Sequence, residues 1–428
     1  MSEEKIGNRN LVVLGAIIVQ LCLGSIYAWS IFQKALYQAP TLYNWDKLWS
    51  NLPFAAGLAS FALFMIFAGR WQDRVGPRKV ATVGGILLGL GVTLAGLVDI
   101  LGFGSDMVVG TVYLIITYGI IGGAGIGFAY VCPIAALVKW FPDKKGLMTG
   151  VAVAGFGGGA LIFNYVEQYL IGFFSGFIGY PLIVLGAIYL IFVVIGSQML
   201  TAPPAGWLPE GFTPPATTAD GAGTGMMPGE MVGTSTFKIL WLMFVFAATA
   251  GLMTLGNVVS AAGEIDGIVE VLGLGALIAG IMSIFNAAGR IVWGMVSDKI
   301  GRIATFIAMF LVLAVGMFAF GFVAGLPVGA DGERWVIVTA IASVVGFCFG
   351  GNFALFPSAT ADYFGSVNVG KNYGVVFTAY GIAGILGALV AGTFGQAFGY
   401  SMAFYITGVL AIIAILLTLI LRSKAKTQ

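Results

Sequence analysis

Apolar positions in this chain come in long unbroken runs, with neither the alternation of a strand nor the half-polar stripe of a soluble helix. Leu11 to Phe32 passes twenty-two residues without one charge, and similar runs follow, divided by short segments that hold most of the Asp, Glu, Lys and Arg. A helix rises about 1.5 Å per residue, so about twenty apolar residues match the hydrocarbon core of a bilayer. Twelve such runs are centred near residues 21, 58, 89, 122, 160, 190, 250, 281, 313, 347, 383 and 411. The pattern predicts an all-α membrane protein with twelve transmembrane helices. The first run exceeds a signal-peptide core and no small-residue cleavage site follows it, so it is expected to be a retained helix.

Charge orients this bundle. Arg70, Arg74, Arg78, Lys79, Lys139, Lys144, Lys145, Lys299, Arg302, Lys371, Arg422, Lys424 and Lys426 fall on the side of the termini, against Lys34, Lys47 and Arg334 opposite. The positive-inside rule then places both termini and the long middle loop in the cytoplasm, as in a multi-pass protein of the cytoplasmic (inner) membrane. The net charge of +2 is therefore topological: the basic residues do not gather on a soluble module, which argues against a nucleic-acid partner. Cys22, Cys132 and Cys348 each fall within a predicted helix, an odd number without motif spacing, which argues against a disulfide framework and a zinc site. No metal or cofactor is expected.

Residues 201 to 236 are rich in Pro, Gly, Ala and Thr and lack apolar periodicity, so they read as a linker between six-helix halves at 1–200 and 237–428. The halves repeat one another. GRWQDRVGPRK at 69 to 79 aligns with GMVSDKIGRI at 294 to 303 at an offset of 225 residues, pairing Gly69 with Gly294, Asp73 with Asp298 and Gly76 with Gly301. Gly76 and Gly301 suit a tight turn, Asp73 and Asp298 suit a bond to a neighbouring helix terminus, and Arg74, Arg78 and Arg302 suit anchors at the lipid phosphates. A second echo joins residues 139–159 to 362–384. Parallel six-helix halves are the plan of a rocking transporter.

On these motifs the sequence resembles the major facilitator superfamily, whose loop signature GxxxD(R/K)xGxR(R/K) is nearly complete at Gly69 to Lys79. YAWS at 27–30, KWFPDKKGLMTG at 139–150, GRIVWGMVSDKIGR at 289–302, ALFPS at 354–358 and KNYGVVFTAYG at 371–381 are similar to the oxalate:formate antiporter family and its monocarboxylate-transporting relatives. The resemblance spans nearly the whole chain outside the linker and implies a secondary transporter.

Arg290 stands inside an apolar run, eight residues before Asp298 and so about 12 Å deeper along a helix. A charge at that depth costs a few kcal/mol or more, which makes it a functional candidate. Ala279, Ser283, Asn286 and Arg290 share one helical face. A polar stripe ending in a guanidinium offers a planar fork of donors to a carboxylate, with Asn286 able to orient it. A protein acid is the alternative partner. Glu167, the other acid well inside a span, falls nearer the outer end and is a candidate for proton coupling.

Tyr27, Tyr130, Tyr380 and Asn352 are further polar candidates, in helices that the resemblance identifies as cavity-lining. Where oxalate-handling members of the family carry a lysine, this chain has Tyr380, and the family's aromatic cage reads Phe349, Phe353 and Phe377. A dianion held by one arginine would leave a buried charge uncompensated, at several kcal/mol. The expected substrate is a small monoanion such as lactate, pyruvate or formate. Glycine runs such as GIIGGAGIGF at 119–128 lack the Lys-Ser/Thr of a phosphate loop and suit close helix packing instead, and no enzyme motif is present.

The expected function is alternating-access transport of small monocarboxylates by proton symport or anion exchange, as a lipid-embedded monomer. An oxalate:formate-type antiporter and a non-transporting carboxylate sensor are the alternatives, beside an exporter of neutral or cationic solutes.

Overall fold

A computed structural model describes residues 9–37, 42–45, 47–204, 207–209, 225–266, 274–327, 334–395 and 398–427. Among them, eleven helices are long and apolar enough to cross a membrane. In chain order the helices are α1 (Arg9–Gln33), α2 (Lys47–Val75), α3 (Pro77–Ala95), α4 (Met107–Trp140), α5 (Lys145–Phe173) and α6 (Gly179–Met199). They continue with α7 (Ser235–Ile265), α8 (Gly275–Ile300), α9 (Arg302–Ala324), α10 (Arg334–Phe364), α11 and α12 (Tyr400–Thr427). The run predicted near residue 383 is α11, a helix in three pieces: Val369–Val376, Thr378–Leu389 and the π-helical Val390–Gly395. Its first break is a tight turn in which Tyr380 N–H donates to the Phe377 carbonyl.

The chain forms two compact units. One comprises Met1–Trp140, Gly155–Pro209 and Val367–Val375; the other comprises Phe141–Ala154, Glu210–Ser366 and Val376–Gln428. Each unit therefore contains a short piece of the other sequence half, the start of α5 in one case and the start of α11 in the other. Inside the first unit α2 packs on α4, α3 on α6 and α4, and α1 on α6 and α4. Inside the second, α8 packs on α10, α9 on α12 and α10, and α7 on α12 and α10. The repeat seen in the loop motif thus extends to the pairing of helices.

Two glycines make the motif's turns with no intervening loop. Gly76 joins α2 to α3 at φ +89, ψ 160, and Gly301 joins α8 to α9 at φ +84, ψ 161. That region of backbone space is essentially closed to residues with a Cβ. At the other ends of α3 and α6, Tyr43 donates to Asp99 at 2.8 Å and accepts from Ile178 N–H at 2.9 Å, while Asp99 Oδ2 accepts from Gly179 N–H at 2.7 Å. Asp99 thereby satisfies a free amide at the start of α6. Burial, together with the neighbouring Asp99 carboxylate, holds the Tyr43 phenol above its ordinary value and keeps it a donor.

Candidate functional site

Arg290 lies ten residues before the end of α8, about 15 Å along the helix, and is 2% exposed. Its Nε donates to Asn286 Oδ1 one turn earlier at 3.0 Å, and its Nη1 donates to the Val153 carbonyl at 2.7 Å. Both of these acceptors are carbonyl oxygens, and together they fix the orientation of the fork. The guanidinium carbon lies over the Phe353 ring, 4.4 Å from its centroid, a cation–π contact.

Small residues make this contact possible. A Cβ on Gly289 would come within 1.9 Å of the Phe347 carbonyl, and one on Gly350 within 2.0 Å of the Asn286 carbonyl. α8 and α10 therefore meet backbone to backbone, which brings Phe353 to Arg290. Gly150 does the same on another side, where a Cβ would lie 2.1 Å from the Arg290 carbonyl. This contact holds Val153 in reach of the guanidinium.

Around Phe353 the structure gathers the other aromatic candidates of this unit. Phe349 lies 5.2 Å away, Tyr380 5.6 Å and Phe377 6.4 Å between ring centroids, and Phe377 stacks on Tyr380 at 5.0 Å. Tyr380 enters through the break in α11, three residues past Phe377. Phe244 of α7 adds a ring 6.4 Å from Phe353. Nothing in its local sequence marked Phe244, because its helix carries no polar stripe there.

Two other predicted residues do not join this group by hydrogen bonds. Ser283 Oγ donates to the Ala279 carbonyl at 2.9 Å, within its own helix. Asn352 is fully buried and neither amide atom of its side chain has a hydrogen-bond partner.

In the first unit Tyr27 and Tyr130 converge on one ring. Both meet Phe156 edge-on, at 5.2 and 5.3 Å, and Phe61 lies 5.1 Å from Tyr130. Phe156 sits within the glycine run AGFGGGA, where the bulky residue among small ones was the available signal. Glu167 of α5 also belongs to this unit and is 2% exposed.

The loop motif forms two matching clasps. In one unit Asp73 Oδ2 accepts from Lys371 N–H at 2.8 Å and Oδ1 from Lys139 Nζ at 3.3 Å, with Gln72 alongside. In the other, Asp298 accepts from Gly146 N–H at 2.9 Å and Leu147 N–H at 2.7 Å. The offset of 225 that relates Asp73 to Asp298 also relates Gly146 to Lys371, so each aspartate caps the equivalent helix start. Gly69 and Gly294 allow the approach, since a Cβ on either would lie 2.1 or 2.2 Å from the carbonyl of Gly370 or Gly146.

Arg302 differs from the expected phosphate anchor. Its Nη1 donates to Asp298 at 2.9 Å and also meets Ser297, and its Nε donates to Asp362 at 2.7 Å, whose other oxygen accepts from Lys145 at 2.6 Å. The guanidinium is drawn into the protein because two carboxylates stand within reach. Arg74 and Arg78 are exposed, as an anchor requires.

A bundle of apolar helices, doubled in plan, with buried polar groups and capped helix starts at repeated positions, defines a membrane transporter and not an enzyme. The chain belongs to the Major Facilitator Superfamily, whose family pattern matches residues 10–326 and 269–428. It is 31% identical over 383 residues to the uncharacterized MFS-type transporter YhjX of Escherichia coli (strain K12), covering 88% of this chain and 86% of that protein. It is 29% identical to the oxalate:formate antiporter of Oxalobacter formigenes, covering 96% and 91% of the two chains. Among solved structures, the proton:xylose symporter XylE superposes with a TM-score of 0.69 at 16% identity, covering 95% of this chain and 94% of that one, a likeness of fold alone.

Proposed function

We propose that this transporter carries small organic monocarboxylates and that Arg290 is the group that binds the carboxylate. The observation that carries this reading is the guanidinium itself: buried within α8, held by Asn286 and the Val153 carbonyl and stacked on Phe353. Held at these two points, the guanidinium presents a planar cation whose geometry matches a carboxylate better than an ammonium would. The rings of Phe349, Phe353, Phe377 and Tyr380 supply the apolar wall that suits a methyl group and excludes water.

The likeness to an oxalate:formate antiporter supports a carboxylate as the cargo. Tyr380, in the place of that family's lysine, supports a monoanion over a dianion, because one arginine neutralises one charge. Asn352, buried in the same unit as Arg290 with neither side-chain amide atom bonded, is retained as a polar candidate for the substrate's remaining oxygens, and Tyr27 and Tyr130 remain polar candidates of the first unit. Both termini are assigned to the cytoplasm of a cell with a single or inner membrane by the bias of basic residues.

Uptake of labelled lactate and labelled oxalate into proteoliposomes, preloaded or empty, tests the reading. Lactate uptake that falls about tenfold or more in Arg290→Lys is expected, since a point charge cannot replace a stacked bidentate fork. Full transport by Arg290→Gln would overturn the site, and oxalate uptake confined to preloaded vesicles would make the chain an oxalate exchanger.

A further inference from the structure

The first unit holds an acid that anchoring a carboxylate does not use. Glu167 is 2% exposed, and its Oε2 is fully buried with no hydrogen-bond partner. Among the described residues no lysine or arginine forms an ion pair with it. Among the described residues, the phenols of Tyr118 on α4 and Tyr189 on α6 lie near enough to feel its charge. On α1, the Ser25 hydroxyl of the same unit donates to the Cys22 carbonyl at 2.8 Å. Phe163, one turn earlier on α5, packs on Tyr189 at 5.0 Å, and Trp29 packs on Tyr118 at 4.4 Å.

Tyr118 reaches this position from an unusual backbone. Residues Ile115–Gly122 of α4 are π-helical, a wider winding that occurs mostly as short pieces at functional sites. The Ser60 hydroxyl donates to the Ile120 carbonyl at 2.8 Å, supporting the altered segment from α2. A local departure from α-geometry, braced by a neighbouring helix, thus coincides with the tyrosine of α4 that lies near the buried acid.

We infer that Glu167 is the proton-binding group of this transporter, carrying a proton with each monocarboxylate in the same direction; the coupling rests on the reading of the chain as a monocarboxylate carrier. A carboxylate this deep without a cation costs several kcal/mol as the anion, whereas the neutral acid can sit among phenols and rings. The phenolic hydroxyls provide donors for the moment at which the proton has left. In one cycle a proton from the acidic side attaches to the carboxylate, crosses, and is released to the opposite water. One proton and one monoanion together move no net charge, and no covalent bond of the substrate changes.

The test combines transport with a spectrum. A tenfold inward proton gradient is expected to drive about tenfold accumulation of labelled lactate into empty proteoliposomes containing the unaltered protein. In Glu167→Gln that accumulation is expected to vanish while exchange of labelled for unlabelled lactate remains measurable. Undiminished accumulation in Glu167→Gln overturns the inference. The infrared spectrum at neutral pH decides independently of any substrate: a protonated-carboxyl stretch missing from Glu167→Gln supports the site, and identical spectra overturn it. If the unaltered protein takes up no lactate by either route, the substrate reading fails, and the spectrum alone then judges Glu167. The same spectrum decides if Glu167→Gln loses exchange as well.

Discussion

At the scale of single residues, the Arg290–Phe353 stack makes a claim separable from charge. Replacing Phe353 by Leu keeps an apolar side chain but removes the ring face under the guanidinium. A desolvated cation–π contact is worth about 2 kcal/mol, so the apparent KM for lactate is expected to rise about 5- to 30-fold with a smaller change in maximal rate. Concentration-dependent uptake measures both; an unchanged KM would mean that Phe353 does not position the arginine. Arg290 and Asn286 were legible in sequence because a charge and an amide one turn apart interrupt an apolar run. Phe353 as the arginine's platform was not, since one phenylalanine among thirty-three carries no mark until another helix approaches it. The Tyr118–Glu167–Tyr189 group shows the same limit: the acid stood out, and the phenols that surround it did not.

At the scale of elements, the two motif turns rest on backbone conformation alone. A Cβ on Gly76 or Gly301 would meet nothing within 4 Å, yet both glycines hold a positive φ. Gly76→Ala and Gly301→Ala are each expected to destabilise the protein by about 1–3 kcal/mol through strain, seen as a lower midpoint in denaturant titration of the detergent-solubilised protein. Asp298→Ala removes two bonds to the start of α5 and one to Arg302, and a lost cap alone costs about 0.5–2 kcal/mol. Its melting temperature is expected to fall, whereas Arg74→Ala, at an exposed side chain, is expected to leave it unchanged. The glycines and aspartates were visible as a repeat. Their partners at Gly146 and Lys371 could be suspected from the second echo, but no local pattern says which aspartate reaches which helix start. The break in α11 was likewise hidden, because an apolar run reads the same whether its helix is continuous or in three pieces.

At the scale of the whole molecule, the contact units cross the boundary between sequence halves. Residues 141–154 pack with the second unit and 367–375 with the first. Fragments 1–209 and 210–428, expressed together with a tag on one, are therefore expected to co-purify, and Asp298→Ala in the second fragment is expected to weaken that recovery. Separate elution of the two fragments would show that the exchanged segments contribute little to holding the chain together.

Sequence by itself determined the membrane class, the number and placement of the apolar runs, the doubling of the plan and the buried arginine. The physical reason is locality: in a bilayer each helix satisfies its own backbone, so about twenty neighbouring residues decide whether a span forms. Tertiary structure decided what those spans bring together. Arg290 finds the Val153 carbonyl 137 residues away, and Asp298 finds Gly146 across 152 residues. Such meetings depend on which glycines let two backbones touch, and a glycine's neighbour is set by packing, about which its own stretch of chain carries no information.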